Sequence, residues 1–179
     1  AKFKEIRGYD VTDYYYKLSS EYYGDGKKVR RDYIETITRL FCDNFISPIT
    51  QWCERHGLES TGHFYGEEDP LSGSLCAQSV YRQIKLMGIP GFDIIGRYVG
   101  DRDHCALILG AKIVVSAAIQ SGKKRILAEC FALNPFNYGY DGLRKTADWL
   151  FACGIDTFAP HAFHYGYGAY QRTDAGKSF

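Results

Sequence analysis

No stretch of the 179-residue chain reaches the roughly 18 consecutive apolar residues that a membrane span needs. Residues 1–20 also lack the apolar core of a signal peptide. An excess of one charge sign is missing too. Lys and Arg number 22 against 21 Asp and Glu, the formal net charge is +1, and the sequence pI is about 7.8. Neither nucleic acid nor an anionic membrane surface is therefore an expected partner. There is no CxxC pair, which argues against a zinc ribbon or a thioredoxin-like site. Phosphate and acyl-transfer motifs are absent as well: no Walker loop, no GxGxxG after a strand and no GxSxG elbow. "GYGAY" supplies glycines but opens no evident helix. The chain begins at Ala1 rather than Met, which suggests a processed chain or an excised piece, so the missing leader leaves the compartment open.

What is present is an ordinary apolar content of 45% and an unusual aromatic content of 16%, with 15 Tyr and 11 Phe. Such an excess suits either a bulky core or flat faces on which sugars stack. Six cysteines, at 42, 53, 76, 105, 130 and 153, read as free thiols and favour a reducing, cytoplasmic setting, with the periplasm or secretion as alternatives.

One pattern returns four times: amphipathic helix, glycine, short strand. The first helix is expected from about Arg31 to His56, with Ile34, Ile37, Phe41, Phe45 and Trp52 on one face and Pro48 interrupting it. Gly57 and "LESTGHFYG" follow. The second unit is "CAQSVYRQIKLM", Gly88 and "GFDIIG"; the third is "CALILGAKIVVSAAIQS", Gly122 and "RILAECFA". The fourth is "GLRKTADWLFAC", expected to be N-capped by Asp141 and stopped by Gly154, then "IDTFAPHAF". The stops lie 31, 34 and 32 residues apart. That period matches the roughly 250 residues per eight units of a (β/α)₈ barrel. Solenoids share the length, but here the motifs do not recur and every unit carries a strand signal. Parallel strands with right-handed crossovers are expected. Residues 1–30 read as loop and short helices. The fold class is therefore α/β with about four parallel strands, either an open sheet or, as favoured, the C-terminal half of a TIM barrel filling residues 1–179.

The C-terminal part of each strand carries a polar residue among apolar neighbours: His63, Asp93, Glu129 and His161. In a parallel α/β architecture these ends open on one face, where active sites are built. Glu129 is the leading catalytic candidate, a general base or nucleophile at a strand tip; a salt bridge to Lys124 or Arg125 is the plain alternative. The aromatic and amide-rich "FALNPFNYGYDG", with Asn134, suits a loop over a polyhydroxylated ligand. "GHFYGEED" offers a second acidic cluster two repeats earlier. Strands lie about 4.8 Å apart, so tips two strands apart are roughly 9–10 Å from each other. That approaches the carboxylate separation of about 6.5–9.5 Å in inverting glycosidases. Glu67 is the candidate partner, standing between a substrate contact and no role, while Glu68 and Asp69 read as solvated loop. In "PHAFHYGYGAY", alternation sends His161 and His164 to opposite faces, against a His–His metal site. Tyr165, Tyr167 and Tyr170 offer a stacking surface or ordinary loop packing. Asp101 and Asp103 could hold calcium, though no EF-hand loop surrounds them. Carboxylate acid/base chemistry in an aromatic cleft remains, which points to sugars.

"KFKEIRGYDVTDYY", "PITQWCERHGLESTGHFYGEED", "GIPGFDIIG", "GKKRILAECFA" and "ADWLFACGIDTFAPHAFHYGYGAYQRTDAGKSF" together resemble the catalytic barrel of α-L-rhamnosidase-type glycoside hydrolases, family 106 and its relatives. The resemblance covers nearly the whole chain. It implies barrel strands five to eight within a multidomain enzyme flanked by β-sandwich domains. It also implies that Glu129 ends the seventh strand as base toward water in an inverting mechanism. The general acid would end the fourth strand, upstream of Ala1. Some members use calcium near the sugar, with ligands unassigned here; no other cofactor is expected. The expected partners are a carbohydrate and the rest of the barrel. His63, Asp93, His161, His164, Tyr165 and Asn134 are the candidate sugar-binding residues, and Glu129 and Glu67 the candidate catalytic pair. A non-catalytic sugar-binding or scaffold module is the main alternative. An aldolase or isomerase would need a Schiff-base lysine or a phosphate site, and Lys112, Lys123 and Lys124 belong to a helix or its end on the wrong side of the sheet.

Overall fold

A computed structural model describes residues 1–18, 26–64, 67, 79–95, 106–132 and 138–161. Short helices α1 (Lys2–Arg7) and α2 (Tyr15–Leu18), with a 3₁₀ turn at Val11–Tyr14 between them, lead into α3 (Gly26–Phe41). A π-helical segment, Cys42–Ile46, joins α3 to α4 (Ser47–Arg55). Then follow β1 (Thr61–Gly62), α5 (Val80–Ile84), β2 (Ile89–Ile95), α6 (Ala106–Gln120), β3 (Leu127–Ala132), α7 (Gly139–Cys153) and β4 (Thr157–Pro160). The first long helix thus starts at Gly26 rather than near Arg31, and it is interrupted just ahead of Pro48, by the π segment Cys42–Ile46. Pro48 sits in the first turn of α4, where its missing N–H costs nothing. The preceding π turn widens the helix just where a proline ring would otherwise press on a carbonyl one turn back.

Three of the four helix stops, Gly57, Gly122 and Gly154, adopt left-handed backbone with φ of 70°, 69° and 102°. Gly88 has a different task. A Cβ there would stand 3.0 Å from the Ser60 backbone nitrogen, so the residue is small because β1 passes against it. Asp141 is not the N-cap of α7; the helix begins two residues earlier, and Asp141 lies in its first turn, where the dipole favours an anion.

The fold is mixed α/β. Its four strands pair in the order β1-β2-β3-β4, and every pair is parallel. Phe92 lies opposite Ala128 and Ala128 opposite Phe158; Asp93 lies opposite Glu129 and Glu129 opposite Ala159. Period-two alternation then divides the strands cleanly. Phe92, Ile94, Ala128 and Cys130 enter a buried core with Ile84, Val114, Ala118, Leu150 and Ile155 from the helical side. Full burial of side chains such as Phe92, Ile94 and Leu150 stabilises by about 1.5–3 kcal/mol each. Asp93 and Glu129 are left on the opposite face. On α3, Lys28, Tyr9 and Arg7 surround Asp32 and hold its carboxyl below the ordinary range despite burial, docking the N-terminal segment.

Candidate functional site

Asp93 and Glu129 are side by side on neighbouring strands. His63 follows β1 directly and shares the parity of Thr61, whose register partner Ile89 shares the parity of Asp93. The strand period alone therefore brings His63, Asp93 and Glu129 to one face. Gly91 lets β1 come close enough. A Cβ on Gly91 would sit 2.0 Å from the Gly62 carbonyl oxygen, so no other residue fits without moving the strand.

The three side chains meet at the imidazole. His63 Nε2 lies 2.9 Å from Glu129 Oε2 in a hydrogen bond, and its Nδ1 lies 4.0 Å from Asp93 Oδ2. Glu67 closes the other side, with Oε1 3.5 Å from Nδ1. The Glu67 side chain is 1% exposed, a costly place for a carboxylate unless it is well paired. It is held by two main-chain donors: Phe64 N–H donates to Oε2 at 2.7 Å and Asp93 N–H donates to Oε1 at 2.6 Å. Charge-assisted bonds of this kind are about twice as strong as neutral ones. Glu67 thereby ties the segment after β1 to the middle of β2. His63 and Glu129, each with a 31% exposed side chain, are reachable from solvent, whereas Glu67 is not.

Glu129 does not pair with the cations expected as its plain alternative. Arg125 forms an ion pair with Glu59 near the N-terminal ends of the strands, and Lys124 lies there too. Glu67 and Glu129 stand on either side of the His63 ring. His161 continues the pairing beyond β4, donating its N–H to the Cys130 carbonyl at 2.8 Å. Its buried Nδ1 has no hydrogen-bond partner among the described residues. His164, Tyr165 and Asn134, like Glu68, Asp69, Asp101, Asp103, Tyr167 and Tyr170, lie outside the described residues. Among the described residues, no group of three or more His, Cys, Asp or Glu is arranged to hold a metal ion. No described helix is long and apolar enough to cross a membrane.

Two features of the site escape sequence reasoning. Phe131, directly after Glu129 and Cys130, has φ 72°, a left-handed backbone for a bulky residue. Pairing slips at the same place: Asp93 to Ile95 spans two steps of β2, while Glu129 to Ala132 spans three of β3. This is a β-bulge at the strand tip, and such strain costs on the order of 1–3 kcal/mol. The second feature is a groove of about 250 Å³ beside His63, walled by Phe45, Ile46, Ile49, Phe64 and Met87. The four-residue spacing of His63 and Glu67 was a visible signal; the bulge had none.

Burial, and then the charges of Asp93 and Glu129, push the Cys130 thiol up to about 12. It takes no part in the open face. No protein-family model, curated protein or solved structure matches the chain.

Proposed function

We propose that this chain is the C-terminal half of a (β/α)₈ barrel from a glycoside hydrolase of the α-L-rhamnosidase type, with Glu129 as its general base. The barrel reading is supported by strand order. A parallel sheet numbered 1-2-3-4 has no reversal of strand order, as barrel strands have none and doubly wound sheets do. The hydrolase reading is carried by one observation: the Glu129 carboxylate leaves the middle of β3 on the face away from the helices and is bonded there to His63.

In this role one oxygen of Glu129 stays with His63 while the other takes a proton from the attacking water. Asp93 on β2 and His161 just past β4 bond sugar hydroxyls, whereas the two nitrogens of His63 face Glu129 and Glu67. The loop around Asn134 and the segment with His164 and Tyr165 supply stacking and further contacts. The general acid comes from the remaining barrel strands, and β-sandwich domains flank the barrel. Any calcium belongs beside the sugar, and no described residue is assigned to it.

The test is turnover of aryl glycosides by the complete protein. Glu129→Gln is expected to lower kcat by roughly 10²–10⁴-fold, the usual contribution of a general base. Unchanged turnover would remove Glu129 from the chemistry. Sugar binding without hydrolysis by the wild type would instead favour a non-catalytic carbohydrate-binding module.

A further inference from the structure

We propose that the bulge at Phe131 serves the site: it carries the Phe131 ring off the open face to the helical side, and so keeps Glu129 reachable by a ligand the size of a sugar ring. The nature of that ligand rests on the glycosidase reading above; the placement of the ring does not.

A phenylalanine lies on or just beyond every strand of the sheet, and three of them reach the helical side by alternation alone. Phe64 follows His63 and so points away from it. Phe92 and Phe158 are both register partners of core-facing Ala128. All three lie in or against the buried core. Phe131 is the exception. It stands two residues after Glu129 on β3, and an unbroken strand would turn it to the same face as Glu129, about 6–7 Å further along. A ring there would crowd the carboxylate that His63 meets.

The observed backbone avoids this. Phe131 takes φ 72°, which a bulky residue adopts only against strain, and the register slips so that Ala132 rather than Phe131 stands opposite Ile95. The Phe131 ring meets the Phe158 ring edge-on, with centroids 6.3 Å apart, and packs against the core. Phe158 in turn touches Phe151 of α7, which fixes the side of the sheet on which the rings meet. Level with Ile95, the largest side chain of β3 has thus given way to a methyl group, and Ala132 is buried, so a ring would not fit in its place without displacing its neighbours. Glu129 keeps a 31% exposed side chain. Bulges beside active sites commonly re-aim a side chain in this way. A glycine at this position would take the same backbone without strain, but it would bring no ring to Phe158.

Two measurements on the 179-residue chain test the proposal without any substrate. By NMR, cross-relaxation is expected between the rings of Phe131 and Phe158 and not between those of Phe131 and His63; contact of Phe131 with His63 overturns the proposal. Carbodiimide with glycine methyl ester labels reachable carboxylates, and peptide mapping is expected to find Glu129 modified in the wild type and in Phe131→Gly. Deleting Ala132 removes the extra residue, returns Phe131 to the place opposite Ile95 and should protect Glu129. Adding Phe131→Ala to that deletion should restore the labelling. Equal labelling in the wild type and the folded deletion variant, or no recovery in the double variant, would show that the bulge serves packing alone. Where the deletion prevents folding, the ring contacts of the wild type still decide. In the complete protein the deletion is expected to raise KM for aryl glycosides more than it lowers kcat, with recovery in the double variant. The two readings fail separately. An inactive wild type whose Glu129 labelling follows the ring overturns the hydrolase reading alone, whereas an active one with Phe131 against His63 overturns only the role of the bulge.

Discussion

Glu129 and Cys130 are chain neighbours whose side chains leave β3 on opposite faces, and the strand period gives them opposite chemistry. Cys130 is fully buried with its thiol pushed up to about 12, first by burial and then by the nearby acids. Two results are expected. Iodoacetamide at mildly alkaline pH should modify half-buried Cys53 and spare Cys130 until denaturant is added, as read by peptide mapping. Stability should also fall in alkali. The thiol stays protonated in the folded chain while the unfolded one ionises near its ordinary value of 9. This stabilising contribution is therefore whole below about pH 9 and lost as the pH rises toward 12. Cys130→Ala should flatten that decline relative to wild type; equal slopes would mean that burial does not suppress the thiolate. At this scale much of the site was legible, because a polar residue ending an apolar strand needs a reason. His63, Asp93 and Glu129 could be read that way. The role of Glu67 could not, since its partners are main-chain N–H groups supplied only once the segment after β1 folds back.

At the scale of elements, the period of helix, glycine and strand located all four strands, and glycine's tolerance of positive φ marked three of the four stops. What the sequence hid was context. Pro48 reads as a helix breaker in isolation, yet a π turn and a new first turn absorb it. Gly88 reads as a helix stop and Gly91 carries no signal of its own, but both answer to the close approach of residues 59–62. Gly91 offers the sharper test. Any Cβ there meets the backbone of Gly62 rather than a side chain that could swing away, so β1 and β2 must separate. Gly91→Ala is expected to cost about 1–3 kcal/mol in denaturant unfolding, in line with overpacking elsewhere. It should also loosen His63 from Glu129, because His63 is positioned by β1. Retained stability together with unshifted His63 ring resonances would contradict the fit.

For the whole molecule, the decisive fact is where the sheet ends. Among the described residues the outer sides of β1 and β4 have no strand partner. The helices beside them carry some large apolar residues among their exposed ones. Phe45, Ile49 and Trp52 recur at helical spacing along the π turn and α4, next to β1, and on α7 exposed Phe151 contacts Phe158 of β4 with ring centroids 4.9 Å apart. Open parallel edges with apolar flanks are what a barrel half offers to its other half, and they template self-association when left bare. The 179-residue chain alone is therefore expected to associate in a concentration-dependent way in sedimentation equilibrium. Trp52→Lys on one flank and Phe151→Lys on the other should each weaken that association, since both edges belong to the same closure. On the half-barrel reading proposed above, supplying the other four strands in the same polypeptide should abolish it and render both substitutions destabilising instead of solubilising. That reversal of sign is the discriminating result. An ordinary exposed aromatic would give the same small effect in both contexts, and a chain that stays monomeric at high concentration would show that its edges are already satisfied and that no half barrel is waiting to close.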